Sequence, residues 1–379
     1  MSLFLHIISF DNPFPPDYGG VIDVFYKIKA LSQQGVHIIL HCYHYGRPPS
    51  AELEVLCEKV YYYPRGQMAN SLLEPLPYIV LSRADPELKK NLLYPEYPIL
   101  FEGLHTCFLL GEKDFKNRLC MVRTHNVEWQ YYKGLAAATW SPLKWFYFRS
   151  EADKLLRFEE NLGIANIILP ISPADHLYYH KKFPQSHYLP CFHPNDTLTS
   201  LGGQGKYMLY HGNLAVPENN ATALFLLDLI NAQTKLPLII AGMNPGTWLR
   251  FCCRRKKVQI IANPGKEEMV KLIAGAHINL LPATQHTGIK LKLLNALYQG
   301  RHCIANGKMV NQTGLERLCH IAEKKIEWQQ TINKLVEMPM TIEEQEKRQN
   351  ILKQHYNNVL NAELLIRIIE NQLANTSKI

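Results

Sequence analysis

Short apolar runs alternate with helical patterns along this chain, and that alternation restricts its fold more than any other feature. Residues 3–9 form an apolar run, a loop rich in proline and glycine spans residues 11–20, residues 22–32 have helical spacing, and residues 36–43 are apolar again. A strand, a loop, a helix and a strand in this order make a βαβ unit, and such units build parallel sheets. Because ligands of these sheets bind at the carboxyl ends of the strands, we expect the loop at residues 11–20 to lie beside a site.

The same alternation continues and begins again after a polar, glycine-rich stretch at residues 195–205. In the first part, strands are predicted at residues 60–63, 99–101, 120–124 and 167–170, with helices at 72–83 and 143–161. In the second part, strands are predicted at residues 207–211, 237–241, 258–261, 278–282 and 302–306, with helices at 221–232, 266–274 and 289–297. A helical pattern after Thr341 is expected to bend near Asn357 and Asn358. The sequence therefore predicts an α/β protein with two doubly wound, Rossmann-like domains, residues 1–195 and residues 205–358.

Composition and charge limit the class of protein without naming a partner. Of the 379 residues, 47% are hydrophobic and 20% are charged, which is the composition of a folded globular chain. The formal net charge of +8 suits an anionic partner, such as a nucleoside diphosphate, an acidic membrane surface or a nucleic acid. The nine cysteines include no CxxC pair, which favours reduced thiols in a cytoplasmic protein.

The apolar runs of the chain are shorter than the roughly 20 residues that a membrane-spanning helix needs. The first run is interrupted by His6 and ends at Asp11, and no basic stretch precedes it. We therefore interpret it as a buried strand and not as a signal peptide. Any contact with a membrane is expected to be peripheral.

Several common catalytic and cofactor motifs do not occur in the sequence. The dinucleotide motif GxGxxG is missing after the first strand, and the sequence contains no GxxxxGKS/T, HExxH, CxxC or GxSxG. These absences disfavour a nicotinamide enzyme, a P-loop phosphotransferase, a zinc site and a hydrolase of the nucleophile-elbow type.

Residues 282–306, PATQHTGIKLKLLNALYQGRHCIAN, contain the best candidate for a phosphate site. A predicted strand ends here, a short loop reaches Gly288, and an amphipathic helix follows. The backbone N–H groups of Gly288, Ile289 and Lys290 are expected at the positive end of the helix dipole, where a diphosphate binds well. The side chains of Lys290 and Lys292 could add full charges, although lysines in the first turn of an ordinary helix are often only solvated.

Five segments together resemble the retaining glycosyltransferases of family 4. They are PFPPDYGG after the first strand, RTHNVEWQYYKGLA around the end of the strand at residues 120–124, and YHGNLAVPENN, AGMNPG and GIKLKLLNALYQG in the second half. The resemblance extends over nearly the whole chain. It implies the GT-B fold, in which two Rossmann-like domains face each other across a cleft and the C-terminal helix, about residues 359–379, returns to the first domain.

The resemblance also implies roles for individual residues. His125 would be catalytic beside the transferred sugar, near Asn126 and Glu128, and Lys290 would be catalytic as a charge on the leaving diphosphate. The residues implied in donor binding are Gly19, Gly20, Arg123, Gly212, Asn213, Thr287, Gly288, Ile289, Lys292 and Asn295. Thr287 and Asn295 stand where the family has two glutamates, so Asn295 could still bind a ribose whereas Thr287 supplies no charge.

The implied reaction moves a sugar from a nucleoside-diphosphate sugar, of UDP or GDP type, to a hydroxyl of a glycan or a lipid-linked acceptor, with retention of configuration. No metal and no further cofactor is implied, in agreement with the absence of a DxD triplet. The protein would act in the cytoplasm, within reach of the inner face of the membrane, and without a nucleic acid partner. Two alternatives stay open: a non-catalytic nucleotide-sugar-binding module, and a sugar-nucleotide epimerase, which commonly needs clustered carboxylates.

Three further features have both a structural and a functional interpretation. Glu102 and His105 follow the strand at residues 99–101 and could face the cleft or be hydrogen-bonded structural groups. The run RRKK at residues 254–257 could touch anionic lipid or nucleic acid, although such runs usually lie on solvated loops, and it lacks interleaved aromatic residues. Aromatic and basic residues at 140–149 could lie at a membrane interface, but core packing is the expected explanation.

Overall fold

The computed structural model describes residues 3–66, 74–139, 141–231, 234–284 and 291–376. The strands of its first half are β1 (Phe4–Ser9), β2 (His37–His44), β3 (Lys59–Pro64), β4 (Ile99–Glu102), β5 (Cys120–Thr124) and β6 (Ile167–Pro170). The helices of this half are α1 (Gly19–Gln33), α2 (Ala51–Leu56), α3 (Tyr78–Leu81), α4 (Pro86–Leu93), α5 (Glu128–Ala138), α6 (Pro142–Phe158) and α7 (Pro173–Lys182). The strands form one six-stranded parallel sheet of order β3-β2-β1-β4-β5-β6.

The strands of this sheet are apolar because both of its faces are covered. In β1, Leu5 and Ile7 join the hydrophobic cluster that includes Val24 of α1, whereas Ile8 joins a second cluster. Successive side chains of a strand point to opposite faces, so a strand buried on both faces reads as one continuous apolar run. This arrangement explains why the apolar runs of the sequence located the six strands correctly.

The second half repeats the plan. Its strands are β7 (Met208–Asn213), β8 (Leu238–Met243), β9 (Gln259–Ala262), β10 (Ile278–Leu281), β11 (His302–Ala305) and β12 (His320–Ile321). Its helices are α8 (Pro217–Leu229), α9 (Thr247–Arg255), α10 (Lys266–Gly275), α11 (Leu291–Gln299), α12 (Gly307–Val310), α13 (Lys325–Leu335), α14 (Ile342–His355) and α15 (Asn358–Thr376). The six strands are parallel in the order β12-β11-β10-β7-β8-β9.

Local sequence signals set the starts of several helices. The side chains of Asp85, Ser172 and Thr341 cap α4, α7 and α14 by accepting a hydrogen bond from a backbone N–H of the first turn. Thr341 also forms a capping box, because the Glu344 carboxylate accepts from the Thr341 N–H at 3.1 Å. Proline stands in the first turn of α4, α7 and α8, where its missing N–H has no intrahelical partner to lose.

The chain returns to its first half at the C-terminus. Helix α14 ends at His355 and α15 begins at Asn358, so the predicted bend is confirmed. Ala362, Leu365 and Ile369 of α15 belong to the same hydrophobic cluster as the buried residues of α1. The α/β class with two doubly wound sheets and a returning C-terminal helix is therefore confirmed, while the domain limits at residues 195, 205 and 358 stay a prediction.

The sequence patterns missed or misjudged some helices. Seven helices were not predicted: α2, α4, α5, α7, α9, α12 and α13. Of the helix predicted at residues 72–83, the described residues contain only the short α3, and residues 67–73 lie outside them. Pro77 occupies the position before the first turn of α3, and a proline further inside a helix would remove one of its hydrogen bonds. In α9 only Leu249 and Cys253 are buried, which leaves little apolar periodicity to detect.

The first turn of α6 is not packed in the core, which corrects the expectation for residues 140–149. Leu143, Trp145 and Phe146 are exposed, whereas Phe148 lies further inside and packs against Tyr132 at 6.0 Å between ring centroids. Trp140 lies outside the described residues. Among the helices that the structure describes, none is long and apolar enough to cross a membrane.

Candidate functional site

Each sheet has one place where consecutive crossovers leave in opposite directions. In the first sheet it lies between β1 and β4, and in the second between β7 and β10. At such a point the loops after two neighbouring strands diverge and leave a crevice at the carboxyl ends, where ligands of open α/β sheets bind. The polar residues that follow these strands therefore define the candidate site.

A buried carboxylate and a histidine meet at this point of the first sheet. Glu102 is the last residue of β4 and pairs in register with Arg123 of β5, so His125 follows two residues beyond. The Nε2 atom of His125 lies 3.0 Å from Oε2 of Glu102. The Glu102 side chain is fully buried, whereas the His125 side chain keeps 9% of its surface exposed. Phe10 packs its ring edge-on against the imidazole at 5.4 Å between centroids.

Gly103 lets the backbone turn away directly after Glu102. Its φ of 71° lies in the left-handed region, and a Cβ at this position would come 2.8 Å from Nδ1 of His105. Glycine is the residue that adopts this conformation without a steric penalty. The turn keeps the Glu102 carboxylate at the strand end, within reach of His125, and His105 packs against Phe10 at 5.2 Å between ring centroids.

Helix α1 supplies a buried cation to this pair. The Lys27 ammonium lies 2.8 Å from Oε1 of Glu102 and 2.9 Å from Oδ2 of Asp23, one helical turn earlier. All three side chains are fully buried. Residues four apart on a helix share a face, so Asp23 and Lys27 both point at the sheet.

Arg123, a predicted donor-binding residue, completes the cluster. Its Nη2 lies 2.9 Å from Oδ1 of Asp23, and its guanidinium also donates to the carbonyl oxygens of Leu189 and Pro190. The residue is fully buried, and its role in donor binding stays a prediction. Arg123 holds Asp23, whose other contacts include the N–H of Phe192 at 2.8 Å.

The cluster is electrically balanced because two carboxylates face two cations. Burial alone would raise the pKa of Asp23, but the charges of Arg123 and Lys27 hold it well below its usual range. Burial opposes ionisation of Glu102 too, and Lys27 and the His125 hydrogen bond still lower its pKa. Both carboxylates are therefore ionised at neutral pH, and the Arg123 pKa is raised by Asp23 despite the burial that would lower it.

Three atoms of this cluster have a spacing that a metal could use. Asp23, Glu102 and His125 each bring one ligand atom within 4.8 Å of the others. The Lys27 ammonium, however, lies within 2.9 Å of both carboxylates and already supplies the compensating positive charge. The negative charge of the two carboxylates is already compensated, so a metal ion would add uncompensated positive charge. The three ligand atoms therefore fit an internal ion-pair network better than a metal site.

The loop before α1 is held in place and leaves the helix start open. Asp11 accepts a hydrogen bond from the Tyr18 hydroxyl at 2.8 Å, and Arg47 donates to the Pro15 carbonyl at 2.8 Å. A Cβ added to Gly19 would have no atom within 4 Å, so the space beside this residue is open. A Cβ on Gly20 would come within 2.5 Å of the Phe10 ring, so Gly20 is needed for packing.

In the second sheet, the backbones of β7 and β8 lie very close together at their carboxyl ends. Gly242 of β8 has φ 158°, and a Cβ on it would lie only 1.8 Å from the Gly212 carbonyl oxygen. Gly212 itself faces the Asn219 side chain. Asn213 ends the strand in a turn in which its Oδ1 accepts from the Ala215 N–H at 3.1 Å. Gly212 and Asn213, both predicted donor-binding residues, thus lie at the crevice.

Lys292 of α11 reaches the same strand end. Its ammonium lies 3.5 Å from Oδ1 of Asn219 and 5.3 Å from the ring centroid of Tyr210. Burial and the Lys292 charge together lower the pKa of His211 to about 3, so this histidine is neutral. His211 is a candidate site residue that could not be recognised from the sequence alone.

Glu218, in the first turn of α8, connects this helix to the segment after β10. The sequence patterns did not identify it either. Its Oε1 accepts a hydrogen bond from the Thr284 N–H, which follows β10, at 3.1 Å. The motif VPENN contained a usable signal, because proline followed by an acidic residue is typical of a helix start.

Asn295 lies on α11 against the segment that joins the two halves. Its Oδ1 accepts a hydrogen bond from Nδ2 of Asn195 at 2.8 Å. The other residues predicted in this loop, Thr287, Gly288, Ile289 and Lys290, lie outside the described residues. Their roles, and that of Asn295 towards a ribose, stay predictions.

Helix α5 of the first half contacts helix α8 of the second half. Burial raises the pKa of Tyr131 to about 12, and the carboxylates of Glu128 and Glu218 contribute to that rise from the two sides. Glu128 itself is buried near Asp175 and Glu159, and its pKa is raised to about 7, chiefly by burial. The HNVE segment therefore places His125 in the first-sheet crevice and Glu128 in the buried first turn of α5.

No family model matches the sequence. A curated relative is 27% identical over 315 residues, which cover 77% of this chain and 79% of that protein. It is described as an uncharacterized 44.6 kDa protein in the cps region of Klebsiella pneumoniae.

Solved structures match the chain over nearly its whole length at low identity. TarM is 9% identical with a TM-score of 0.69, and the match covers 97% of this chain and 99% of TarM. WaaG, a glycosyltransferase involved in lipopolysaccharide biosynthesis, is 11% identical with a TM-score of 0.65, covering 96% and 99%. HepE of Anabaena, solved with UDP and glucose, is 12% identical with a TM-score of 0.64, covering 97% and 100%.

The chain has the GT-B fold. At these identities the matches establish the fold and leave the activity to be argued from the site. The predicted GT-B architecture is confirmed, whereas membership of family 4 and retention of configuration stay predictions. In the GT-B chain, the Glu102–His125 pair belongs to the first sheet and the His211–Lys292 region to the second.

Proposed function

We propose that this GT-B chain is a glycosyltransferase that moves a sugar from a nucleoside-diphosphate sugar to a hydroxyl of a glycan or a lipid-linked acceptor. The proposal includes retention of configuration, UDP or GDP as the nucleotide, independence of a metal, and action in the cytoplasm. One observation supports it above the others: His125 is held by a buried, ionised carboxylate at the point of the first sheet where ligands of such sheets bind.

The hydrogen-bond geometry fixes which nitrogen of His125 can act on a substrate. An ionised carboxylate only accepts hydrogen bonds, so the Nε2 atom facing Glu102 must carry the hydrogen. In the neutral imidazole, Nδ1 is then an acceptor, which suits a hydrogen bond from a sugar hydroxyl. His125 in this state would orient a sugar.

The second half would receive the diphosphate of the donor. Lys292 places a cation at the end of β7, close to Gly212 and Asn213, where a backbone without side chains allows close approach. Neutral His211 adds no competing charge there. Preorganised positive charge at a leaving group stabilises the transition state electrostatically. In the proposed reaction this stabilisation would be the main contribution of the second half to catalysis.

Positioning would supply the remainder of the catalysis. In the proposed retaining mechanism, the acceptor hydroxyl attacks the sugar on the side of the leaving diphosphate, and an oxygen of the diphosphate takes the proton of that hydroxyl. The carbon–oxygen bond to the diphosphate breaks as the new glycosidic bond forms. The protein then holds donor and acceptor in the reactive orientation between its two halves.

Purified protein incubated with a panel of UDP- and GDP-linked sugars tests the proposal, with released nucleoside diphosphate as the readout. Release with at least one donor, and NMR of the product showing the donor's anomeric configuration, is the expected result. Binding of a donor in a thermal-shift assay without release or transfer would point to the non-catalytic module instead. Formation of a 2-epimer with free nucleoside diphosphate in the absence of acceptor would point to the epimerase.

A further inference from the structure

Helix α9 presents a stacked aromatic pair to solvent. Trp248 and Phe251 are 62% and 50% exposed, and their ring centroids lie 5.5 Å apart with the planes inclined by 27°. On the opposite side of the helix, Leu249 and Cys253 are buried and anchor α9 to its half of the protein. The pair is therefore fixed in position and is not a fraying end of the chain.

Basic side chains surround the aromatic pair. Five cations are exposed on α9 and the turn after it: Arg250, Arg254, Arg255, Lys256 and Lys257. The Arg255 guanidinium lies 5.9 Å from the ring centroid of Phe251. The sequence has no acidic residue between Asp228 and Glu267. Asp228, at the end of the neighbouring α8, is paired with Lys325 at 3.1 Å. In the part of the chain that the structure describes, none of the five cations takes part in an ion pair with a carboxylate.

Helical geometry explains why these residues share a surface. The buried Leu249 and Cys253 are four residues apart and define the inner face. Trp248, Phe251 and Arg255 follow at spacings of three and four on the outer face, with Arg254 beside them. We call this set, Trp248, Phe251 and the five cations, the α9 surface. The basic run is evident in the sequence, whereas the aromatic pair, which lies about one helical turn before that run, is evident only in the structure.

We propose that the α9 surface docks the protein on an anionic lipid bilayer. Tryptophan and phenylalanine side chains insert at the boundary between headgroups and acyl chains, while arginine and lysine beside them bind lipid phosphates. A cluster of uncompensated positive charge around an exposed aromatic pair has the complementary chemistry to such a surface. The inference does not depend on the proposed reaction, because it concerns binding to a surface and not catalysis.

The geometry favours a bilayer over a nucleic acid. Single-stranded nucleic acids are bound by aromatic side chains that offer a free face to each base. Here Trp248 and Phe251 stack on each other, so each ring has one face occupied by its neighbour. Insertion into a bilayer needs the apolar area of the two rings and not their separate faces.

Cosedimentation of the full-length protein with vesicles tests this surface. The probes are vesicles of phosphatidylglycerol mixed with phosphatidylcholine, and vesicles of phosphatidylcholine alone. We expect binding to the anionic vesicles that weakens as salt is raised, and little binding to the neutral ones. Failure of the unmodified protein to bind anionic vesicles at low salt would overturn the proposal.

Two variants separate the aromatic and the ionic contributions. The Trp248→Ala/Phe251→Ala and Arg254→Gln/Arg255→Gln variants should each bind anionic vesicles roughly tenfold more weakly or worse. The control is Lys113→Gln/Lys116→Gln, which removes the same charge from exposed positions in the first half. Far-UV circular dichroism and thermal melting check that each variant is folded.

The outcomes distinguish the partners. Equal weakening in the control would show that net charge and not the α9 surface binds lipid. Unchanged vesicle binding in both α9 variants would assign the contact to another part of the protein. A single-stranded oligonucleotide that binds more tightly than the vesicles, and competes with them, would identify a nucleic acid as the partner and overturn the bilayer.

Discussion

The Nε2 atom of His125 lies 3.0 Å from Oε2 of Glu102, and the other oxygen of that carboxylate lies 2.8 Å from the Lys27 ammonium. The carboxylate therefore links a partly exposed imidazole to a cation inside the core. Because Glu102 stays ionised through Lys27, it can hold one tautomer of His125. The three residues come from β4, the segment after β5, and α1, and only the order of the strands and the packing of α1 bring them together.

Glu102→Gln should lower turnover more than it lowers substrate affinity. The amide can no longer fix the His125 tautomer, and losses of roughly tenfold to a hundredfold are typical where a carboxylate orients a functional imidazole. Steady-state kinetics with the donor found by the panel measures this effect. Glu160→Gln, on an exposed carboxylate, is the matched control. Nitrogen-15 NMR of the imidazole gives a readout that needs no activity, and an unchanged tautomer population would contradict the assigned role.

Lys27→Met should destabilise the fold strongly. The substitution leaves the Glu102 and Asp23 carboxylates buried with one cation fewer, and breaking a buried pair in this way costs about 3–5 kcal/mol. Urea unfolding measures the free-energy difference. The comparison is Lys90→Met, which removes an exposed pair with Glu87 and should cost far less stability because solvent screens that pair. Similar losses in the two variants would show that the buried network is not special.

Stability should fall as the pH is lowered from about 6.5 towards 4. Burial lowers the pKa of His6 to about 4, of His320 to about 4 and of His211 to about 3. Below the ordinary histidine pKa the unfolded chain takes up protons that the folded chain does not, so protonation favours unfolding over this window. Above pH 6.5 both states are neutral and this effect vanishes.

One buried carboxyl opposes this trend. Glu128, with a pKa raised to about 7, binds a proton in the folded state before it does so in the unfolded one, which adds stability as the pH falls. Three histidines outweigh one carboxyl, so the net slope keeps its sign. Urea unfolding at pH 7.5, 6.0 and 5.0 measures the slope of the unfolding free energy against pH. In His6→Gln this slope should correspond to about one proton fewer taken up on unfolding. Constant stability between pH 7.5 and 5.0 would refute the assignment.

Lys292→Ala should weaken binding of the donor nucleotide by about 1–3 kcal/mol, the contribution of a charge-assisted contact. Lys290→Ala, outside the described residues, is predicted to have an effect of the same size for the same reason. Titration calorimetry with UDP and GDP measures both. Lys271→Ala, on an exposed position of α10, is the control. Affinity that stays the same in the Lys292 variant would remove Lys292 from the donor site.

The alternation of strands and helices was readable from the sequence because sheets covered on both faces need continuous apolar strands. The position of His125 just after β5 followed from the same reasoning, since a polar residue at the end of an apolar run lies at the carboxyl edge. The bend between α14 and α15 was likewise predicted from local residues. These features depend on neighbours in the sequence and on burial alone.

The composition of the charged cluster was decided only by the tertiary structure. Asp23, Lys27, Glu102 and Arg123 are polar residues whose burial contradicts their ordinary preference, and each is tolerated only because a partner from another element neutralises it. A local motif predicts Arg123 as a donor-binding residue, and only the packing of α1 on the sheet shows that its guanidinium pairs with Asp23. Local sequence determines which residues can end a strand or line a helix, but strand order and helix packing determine which opposite charges meet.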